Sequence, residues 1–400
     1  MRTDFSDDFL ATRQGQRANE IIRSCVHCGF CNATCPTYQV TGDELDGPRG
    51  RIYLIRDLLE HGENKERATL HLDRCLTCRA CETTCPSGVA YGELAEIARH
   101  ELGPSRKGAD RWLRRLLLWM VPEAGRLRAM ARLGRWFRLF LPGALAKQLP
   151  AALGQPQGNS DQLGRHARKV ILLNGCAQQV STPQTNQHLA ELLASHDIAV
   201  QTLPEEACCG SLDLHLGNEA TALQRVRQNV DALSPLLDDV EAIISTASGC
   251  GVTIKDYGRL LADDPDYAER AAALSGKTVD VAEYLSTSGI TLQAVREARR
   301  VAWHAPCSLT HGQQVTNVVE QLLTAAGYEL VPVADPHLCC GSAGTYSLLQ
   351  PKMSEALLQN KLAALTHHQP EIIATANVGC QAHLGSASDI PIVHWIELVK

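Results

Sequence analysis

Eight of the sixteen cysteines stand in two short runs that share one spacing. Both runs follow the pattern C-x2-C-x2-C-x3-C-P, and they consist of Cys25, Cys28, Cys31 and Cys35, and of Cys75, Cys78, Cys81 and Cys85. Thiolates are soft, charged ligands that suit iron, and short loops between them let backbone amides point at the sulfurs. We therefore expect both runs to bind metal.

The spacing resembles the motif of bacterial two-cluster ferredoxins, in which three thiolates of a run bind one [4Fe–4S] cluster and the fourth binds the other. The resemblance implies one cluster on Cys25, Cys28, Cys31 and Cys85, and a second on Cys75, Cys78, Cys81 and Cys35. Two structural zinc sites are the alternative, because C-x2-C pairs also bind zinc. Zinc, however, needs neither the full order nor the proline that ends both runs. Two neighbouring clusters favour electron transfer.

The segment between the runs, GPRGRIYLIRDLLEHG, has apolar residues at helical spacing and a glycine stop at Gly62. Small two-cluster ferredoxins join their halves by hairpins, so a helix here indicates the all-helical ferredoxin type. We expect Arg49 and Arg51, near the start of this helix, to be solvated.

The remaining eight cysteines repeat in register. The matched cysteines are 131, 131, 131 and 130 residues apart, and the two sets are Cys176, Cys208, Cys209 and Cys250, and Cys307, Cys339, Cys340 and Cys380. So regular an offset indicates two copies of one unit. The two adjacent thiols of each copy can reach one site only if the chain bends there. Gly210 or Gly341 follows the pair directly, and glycine permits such a bend.

Each copy alternates predicted strands and helices. The stretches KVILLNGC and RVAWHAPC are predicted strands that end at a cysteine, and later strands lead to the other cysteines of each copy. This alternation indicates an α/β domain with a mainly parallel sheet, where the carboxyl ends of the strands share one edge. We expect the four cysteines of a copy to gather there as candidate ligands of further clusters. Buried, inert thiols are the alternative.

A basic segment separates the two cysteine-rich regions. From Arg106 to Arg138, ten Lys or Arg stand against two acidic residues, in a chain of net charge −6. Apolar residues share one predicted helical face with arginines opposite, namely Leu127, Met130, Leu133, Phe137 and Leu141 against Arg128, Arg132, Arg135 and Arg138. Three tryptophans, Trp112, Trp119 and Trp136, lie nearby. The pattern is typical of a helix on an anionic membrane, and equally of helices packed on another domain or subunit. No nucleic-acid-binding motif accompanies it.

Length and composition predict several folded domains. With 400 residues and 44% hydrophobic content, the chain is long enough for two or three cores. No window reaches the ~18 apolar residues of a spanning helix and no leader precedes the first run, so we expect a cytoplasmic location. Because of the basic segment, we expect the chain to lie peripherally on the inner membrane. The expected division is a helical two-cluster ferredoxin domain at 1–104, a basic amphipathic helical segment at 105–149, a linker at 150–167, and cysteine-rich repeats at 168–298 and 299–400.

A helical two-cluster ferredoxin domain followed by two C…CCG…C units resembles the iron–sulfur subunits of respiratory 2-hydroxyacid oxidoreductases, above all those of bacterial glycolate oxidases. The resemblance covers residues 20–100 and 168–396. It implies an electron relay from an FAD-binding flavoprotein subunit, which oxidises glycolate to glyoxylate, toward quinone or the respiratory chain. No G-x-G-x-x-G opens a helix after a strand, so we do not expect this chain alone to oxidise glycolate.

Three alternative functions stay open. The partner's substrate is lactate or glycerol-3-phosphate in some relatives, and heterodisulfide reductases use such units for catalysis. Heterodisulfide reductase units end in C-x2-C, but Thr253 and His383 replace the last cysteine here, which weakens a thiol-reductase function and makes His383 a candidate ligand. The third alternative is a scaffold without clusters in the repeats. His304 and His311 flank Cys307 and could be ligands, but histidines beside a strand end are more often packed or solvated, and we expect that here.

Overall fold

The chain forms an all-helical N-terminal part followed by two parallel β-sheets, which confirms the predicted fold class. The computed structural model describes residues 1–103, 106–137, 168–203, 206–295 and 300–400. Arg138, Leu141 and the predicted linker at 150–167 lie outside the described residues. The domain boundaries stay predictions.

The helices of the N-terminal part are short and joined by tight turns. They are α1 (Asp7–Leu10), α2 (Arg13–Ser24), α3 (Phe30–Ala33), α4 (Pro36–Thr41), α5 (Pro48–His61), α6 (Lys65–Asp73), α7 (Ala80–Thr83), α8 (Tyr91–Leu102), α9 (Gly108–Met120) and α10 (Ala124–Trp136). A 3-10 turn at Glu44–Asp46 precedes α5.

Helix α5 joins the two cysteine runs and confirms the predicted helix between them. It begins at Pro48, whose missing N–H costs nothing in a first turn, and ends at His61, just before Gly62, whose φ of 66° is left-handed. Its buried side chains Ile52, Ile55 and Leu58 belong to one apolar core with α2 and α8. The helix therefore fixes the distance between the two runs.

The first repeat contains a four-stranded parallel sheet with the order β2-β1-β3-β4. Its strands are β1 (Arg168–Leu172), β2 (Ile198–Gln201), β3 (Ala242–Ser245) and β4 (Thr278–Asp280). Its helices are α11 (Gln178–Ser181), α12 (Pro183–Ser195), α13 (Ser211–His215), α14 (Glu219–Leu233), α15 (Ser248–Lys255), α16 (Tyr257–Leu260), α17 (Ala268–Lys277) and α18 (Val281–Thr287).

The second repeat has the equivalent strand order, β6-β5-β7-β8, and all its pairs are parallel. Its strands are β5 (Arg300–His304), β6 (Glu329–Val331), β7 (Ile372–Thr375) and β8 (Ile392–His394). Its helices are α19 (Val318–Ala325), α20 (Tyr346–Leu349), α21 (Pro351–Thr366) and α22 (Val378–Gly385), with a π turn at Ser308–Gly312 and a 3-10 turn at Trp395–Leu398. The common order confirms that the two copies share one fold.

The two repeats share an apolar core. Leu172 of the first sheet and Trp303 of the second belong to the same buried cluster, which also contains Trp395 from the 3-10 turn after β8. His394 Nε2 hydrogen-bonds with the carbonyl of Thr246 at 2.8 Å, and His188 Nε2 with the carbonyl of Val399 at 2.7 Å. The first repeat therefore depends on residues that follow the second sheet.

Helices α9 and α10 carry the basic segment, and much of their apolar surface is exposed. Leu133 and Phe137 are each 50% exposed, and Ala131 is buried in α10. No helix among the described residues is long and apolar enough to cross a membrane.

Packing of α16 against α17 leaves no room at Gly258, and this yields a test of the fold. A Cβ at Gly258 would lie 3.0 Å from the Cα of Ala272, whereas a Cβ at Gly276, also helical, would meet nothing within 4 Å. We expect Gly258→Ala to destabilise the chain by about 1–2 kcal/mol through overpacking. The matched variant Gly276→Ala should leave stability unchanged or raise it by up to about 1 kcal/mol. Thermal unfolding midpoints measured anaerobically compare the two, and equal midpoints would contradict the tight crossing.

Candidate metal centres

The thiols of the first expected group line one cavity. They are Cys25 at the end of α2, Cys28 in the following loop, Cys31 in α3 and Cys85 after α7. The loop turns tightly because His27 and Gly29 both adopt left-handed conformations, with φ of 57° and 85°. Val26 and Phe30 stay exposed beside it.

The thiols of the second expected group line a neighbouring cavity, namely Cys35, Cys75, Cys78 and Cys81. Thr77 and Arg79 take the same left-handed conformations, with φ of 54° and 61°, as the matched residues of the first run. Cys81 lines both cavities, which places them side by side. The structure thus brings the thiols together in the two expected groups, while the ligand assignment itself stays a prediction.

The donors around the second cavity fit an iron–sulfur cluster. The amide of Thr77 donates to Cys75 Sγ at 3.4 Å, and the hydroxyl of Tyr91 donates to the same sulfur at 3.7 Å. Burial raises the pKa of the Cys78 and Cys81 thiols well above their usual value. A bound metal would have to displace those protons, as thiolate ligation requires.

Arg51 is buried between the two runs, so the expectation that it is solvated is wrong. It is 1% exposed; its Nε donates to the carbonyl of His71 at 2.8 Å, and one terminal nitrogen lies 3.9 Å from Cys35 Sγ. Burial opposes ionisation of the Cys75 thiol, but Arg51 and Arg99 reverse that effect and lower its pKa below the usual value. Arg49 is only half-buried and pairs with Glu44 at 2.6 Å.

Asp46 holds Arg51 in place. This fully buried carboxylate lies 3.7 Å from Arg51, accepts a hydrogen bond from Arg74 at 2.8 Å, and contacts His71 Nδ1 at 2.8 Å. The network gives the second cavity a fixed positive charge.

The four cysteines of each repeat gather beyond the carboxyl ends of the strands. Cys176 Sγ lies 3.5 Å from Cys208 Sγ in the first repeat, and Cys307 Sγ lies 4.0 Å from Cys339 Sγ in the second. The chain bends at each adjacent pair, because Gly210 and Gly341 have left-handed φ of 88° and 87°. The glycines also allow close helix packing: a Cβ at Gly341 would lie 2.7 Å from the carbonyl oxygen of Ser354 on α21.

The second repeat directly contacts the second cavity. Cys78 and Cys307 pack against a buried cluster that includes Cys339 and Tyr346. The hydroxyl of Tyr346 donates to the carbonyl of Arg74 at 2.9 Å. The first repeat differs: in the part of the chain that the structure describes, the apolar cluster around its cysteines contains no cysteine of the two N-terminal runs.

The histidines near the second repeat's thiols differ in their partners. His383 Nε2 lies 3.0 Å from Ser354 Oγ, and His311 Nδ1 lies 2.8 Å from Thr83 Oγ1. His304 instead forms a compact group with Cys340 and Cys380, whose potential ligand atoms all lie within 4.8 Å of one another. Burial lowers the pKa of His304 well below its usual value. The sequence offered His304 as a possible ligand beside Cys307 but favoured a packed or solvated side chain, and it did not predict the group with Cys340 and Cys380. The signal was the position of His304 at the end of a buried strand.

Two family models match the chain in agreement with this architecture. A model described as a 4Fe-4S dicluster domain matches residues 21–89, and one described as a cysteine-rich domain matches residues 170–255 and 301–385.

Several curated proteins resemble the chain, two of them over nearly its whole length. The glycolate oxidase iron–sulfur subunit of Escherichia coli is 44% identical over 100% of this chain and 98% of that protein. The probable glycolate oxidase iron–sulfur subunit of Bacillus subtilis is 32% identical over 94% and 93%, respectively. Lactate utilization protein A of Shouchella clausii is 23% identical over 54% of this chain and 90% of that protein.

A solved structure shares the fold. The crystal structure of a hypothetical protein from Helicobacter pylori aligns with a TM-score of 0.61, at 9% identity, over 98% of this chain and 74% of that one. At this identity the likeness concerns the fold alone.

The buried positive charge of Arg51 should raise the reduction potential of one expected cluster, the one on Cys35, Cys75, Cys78 and Cys81. A nearby positive charge stabilises the reduced, more negative form of a cluster. We expect Arg51→Met to lower its midpoint potential by on the order of tens of millivolts. Redox titration followed by electron paramagnetic resonance measures the change.

Two variants control for this test. Arg51→Lys keeps the positive charge, so its midpoint potential should lie close to that of the wild type. Arg67→Met removes an exposed arginine of α6 and should leave the midpoint potential unchanged. An unchanged potential in Arg51→Met, with the cluster intact, would contradict an electrostatic role for Arg51.

Proposed function

The chain belongs to the family of glycolate oxidase iron–sulfur subunits, and on that basis we propose that it relays electrons within a glycolate oxidase complex. It is one subunit of an oxidoreductase and is not catalytic alone. An FAD-binding partner subunit oxidises glycolate to glyoxylate, and the electrons continue toward quinone or the respiratory chain.

We assign the two [4Fe–4S] clusters to the two thiol-lined cavities. Cys25, Cys28, Cys31 and Cys85 would hold one, and Cys75, Cys78, Cys81 and Cys35 the other. A cluster of this kind supplies one-electron transfer when bound. The protein holds the thiols in fixed positions, buries Cys35, Cys75 and Cys81 of the second group, and supplies positive charge through Arg51 and Arg99.

The observation that carries the relay proposal is the continuity of the thiol groups. The two cavities share Cys81, and the second meets Cys307 and Cys339 of the second repeat at Cys78. Thiol groups thus extend from the N-terminal part into the second repeat. A scaffold without electron transfer would not need this arrangement.

The positions where heterodisulfide reductases carry a fifth cysteine support a relay over thiol-reductase chemistry. Thr253 Oγ1 hydrogen-bonds with the carbonyl of Gly249 at 3.5 Å, and His383 is paired with Ser354. Both side chains therefore bond within their own repeat. That the eight cysteines of the repeats, or His383, bind further clusters stays a prediction.

Glycolate should reduce the clusters in the assembled complex. We expect anaerobic addition of glycolate to the chain co-purified with its flavoprotein partner to produce electron paramagnetic resonance signals of reduced [4Fe–4S] clusters. In the same experiment lactate and glycerol-3-phosphate identify the substrate class of the partner.

The chain purified alone is the matched control. Dithionite should reduce its clusters and glycolate should not, because the hydride acceptor is on the partner. Reduction of the complex by lactate or glycerol-3-phosphate, but not by glycolate, would contradict the substrate proposed here. Clusters that stay oxidised with all three substrates would contradict the relay.

We also propose that helices α9 and α10 contact the cytoplasmic face of the inner membrane. Trp112, Trp119 and Trp136 are 65%, 51% and 89% exposed, and the guanidinium of Arg126 lies 5.0 Å from the centre of the Trp119 ring. Trp112 and Trp119 are seven residues apart and so share one face of α9. Exposed tryptophans among arginines favour an interface with anionic lipid.

The tryptophans give a direct test of membrane contact. We expect the triple variant Trp112→Ala/Trp119→Ala/Trp136→Ala to bind phosphatidylglycerol-containing vesicles at least tenfold more weakly, as measured by co-sedimentation of the holo chain. Each substitution removes the apolar area that an indole ring would bury in the lipid interface. Leu70→Ala, which removes a 49% exposed side chain on α6, serves as the control. Normal vesicle binding together with loss of the flavoprotein would show that these helices bind the partner and not lipid.

A further inference from the structure

The second repeat contains a group of metal-binding side chains. His304, Cys340 and Cys380 are all buried, and one potential ligand atom from each lies within 4.8 Å of the other two. His304 ends β5, Cys340 follows β6 and Cys380 lies in α22 after β7. Three elements that meet at one edge of the sheet thus each contribute one donor.

The imidazole of His304 is buried without a hydrogen-bond partner. It is 1% exposed, and within the described residues neither ring nitrogen has a partner. Its neighbour in register on β7, Thr375, is fully buried, and its hydroxyl also lacks a partner there. Unpaired polar groups in a core are costly and rare, so a ligand that pairs with them is the physical explanation.

Strand alternation aims His304 at the thiols. Ala302, two residues earlier on β5, packs in the same apolar cluster as Cys340 and Cys380, and side chains two apart on a strand share one face. Val301 and Trp303 instead face the core shared by the two repeats. The imidazole therefore lies on the thiol side of the sheet.

The first repeat has no unpaired polar side chain at the two matching positions. The register of the sheets matches His304 with Leu173 and Thr375 with Ser245. Leu173 packs in the core beside Cys208 and Cys209, and Ser245 Oγ donates to the carbonyl of Ala247 at 3.0 Å. The fold thus forms with an apolar side chain at this position, and packing does not require the histidine.

A buried cation accompanies the group in the second repeat. Lys361 on α21 is 2% exposed, and its ammonium donates to the carbonyl of Pro336 at 3.0 Å and interacts electrostatically with Cys340. In the first repeat Asn229 of α14 reaches the corresponding loop, donating to the carbonyl of Ala207 at 3.3 Å. A buried cation is suited to thiols that are ionised, as metal ligands are.

We propose that the second repeat binds a single iron or zinc ion through His304, Cys340 and Cys380, in place of the further cluster that its cysteines predict, and that the first repeat binds no such ion. Thiolate and imidazole together suit these metals and not magnesium or calcium. In a tetrahedral site with metal–sulfur bonds of about 2.3 Å and a metal–nitrogen bond of about 2.0 Å, the donors lie roughly 3.5–4 Å apart. The three donor atoms lie within 4.8 Å of one another, close enough to converge on one ion after a small contraction. This inference does not depend on the electron-relay proposal.

Metal and sulfide analysis of the anaerobically purified full chain tests the site. Two [4Fe–4S] clusters account for about eight irons and eight sulfides per chain. We expect about one additional metal without sulfide, either a zinc or an iron in excess of the sulfide. For zinc, X-ray absorption at the zinc edge should show both sulfur and nitrogen neighbours.

His304→Leu is the informative variant, because it installs the leucine that the first repeat carries. It should lose the additional metal while keeping the irons and sulfides of the two clusters. His383→Ala, which changes a second buried histidine of the same repeat, should keep it. Each of three results would overturn the proposal: no additional metal in the wild type, its retention in His304→Leu, or additional sulfide, which would indicate a cluster in place of a single ion.

Discussion

The contact of Arg51 with the two cysteine runs is the interaction on which the N-terminal part depends. Its guanidinium reaches Cys35 of the first run and the carbonyl of His71 just before the second, while Asp46, which it shares with Arg74, holds it in place. Buried thiolates are stable only where positive charge or hydrogen-bond donors offset the loss of water. The helix that carries Arg51 is also the one that spaces the runs. Cluster geometry and cluster electrostatics therefore have the same origin.

The repeats show how one fold serves two chemical environments. Strand order, the bend at the cysteine pair and the position of the four thiols are the same in both copies. The side chains around the thiols differ: Leu173 and Asn229 in the first copy, His304 and Lys361 in the second. The second copy is also the one that touches Cys78. Duplication therefore supplied the scaffold, and a few substitutions made the copies unequal.

The sequence predicted those features that local spacing determines. Helix α5 with its stop at Gly62, the duplicated parallel sheets and the bend before Gly210 and Gly341 all follow from short patterns. The grouping of the thiols around two clusters is implied by the resemblance and stays a prediction. The burial of Arg51 did not follow from such patterns, because it depends on Asp46 and His71, which approach only when the helices pack. The grouping of His304 with Cys340 and Cys380 was not predicted, for a similar reason. Whether a strand-end histidine faces thiols or an apolar core depends on which side of the sheet the neighbouring loops cover.

The core shared by the repeats has a consequence for biosynthesis. Residues of the first sheet pack against Trp395 and Val399, and His188 bonds with the carbonyl of Val399. During synthesis the helical N-terminal part is complete long before those residues leave the ribosome, and domains generally fold in the order in which they emerge. The first repeat cannot close its apolar face until the second has been made. A ribosome that stalls between the two sheets therefore presents a chain whose iron-binding part is ready and whose first sheet is still open, the kind of intermediate that chaperones bind.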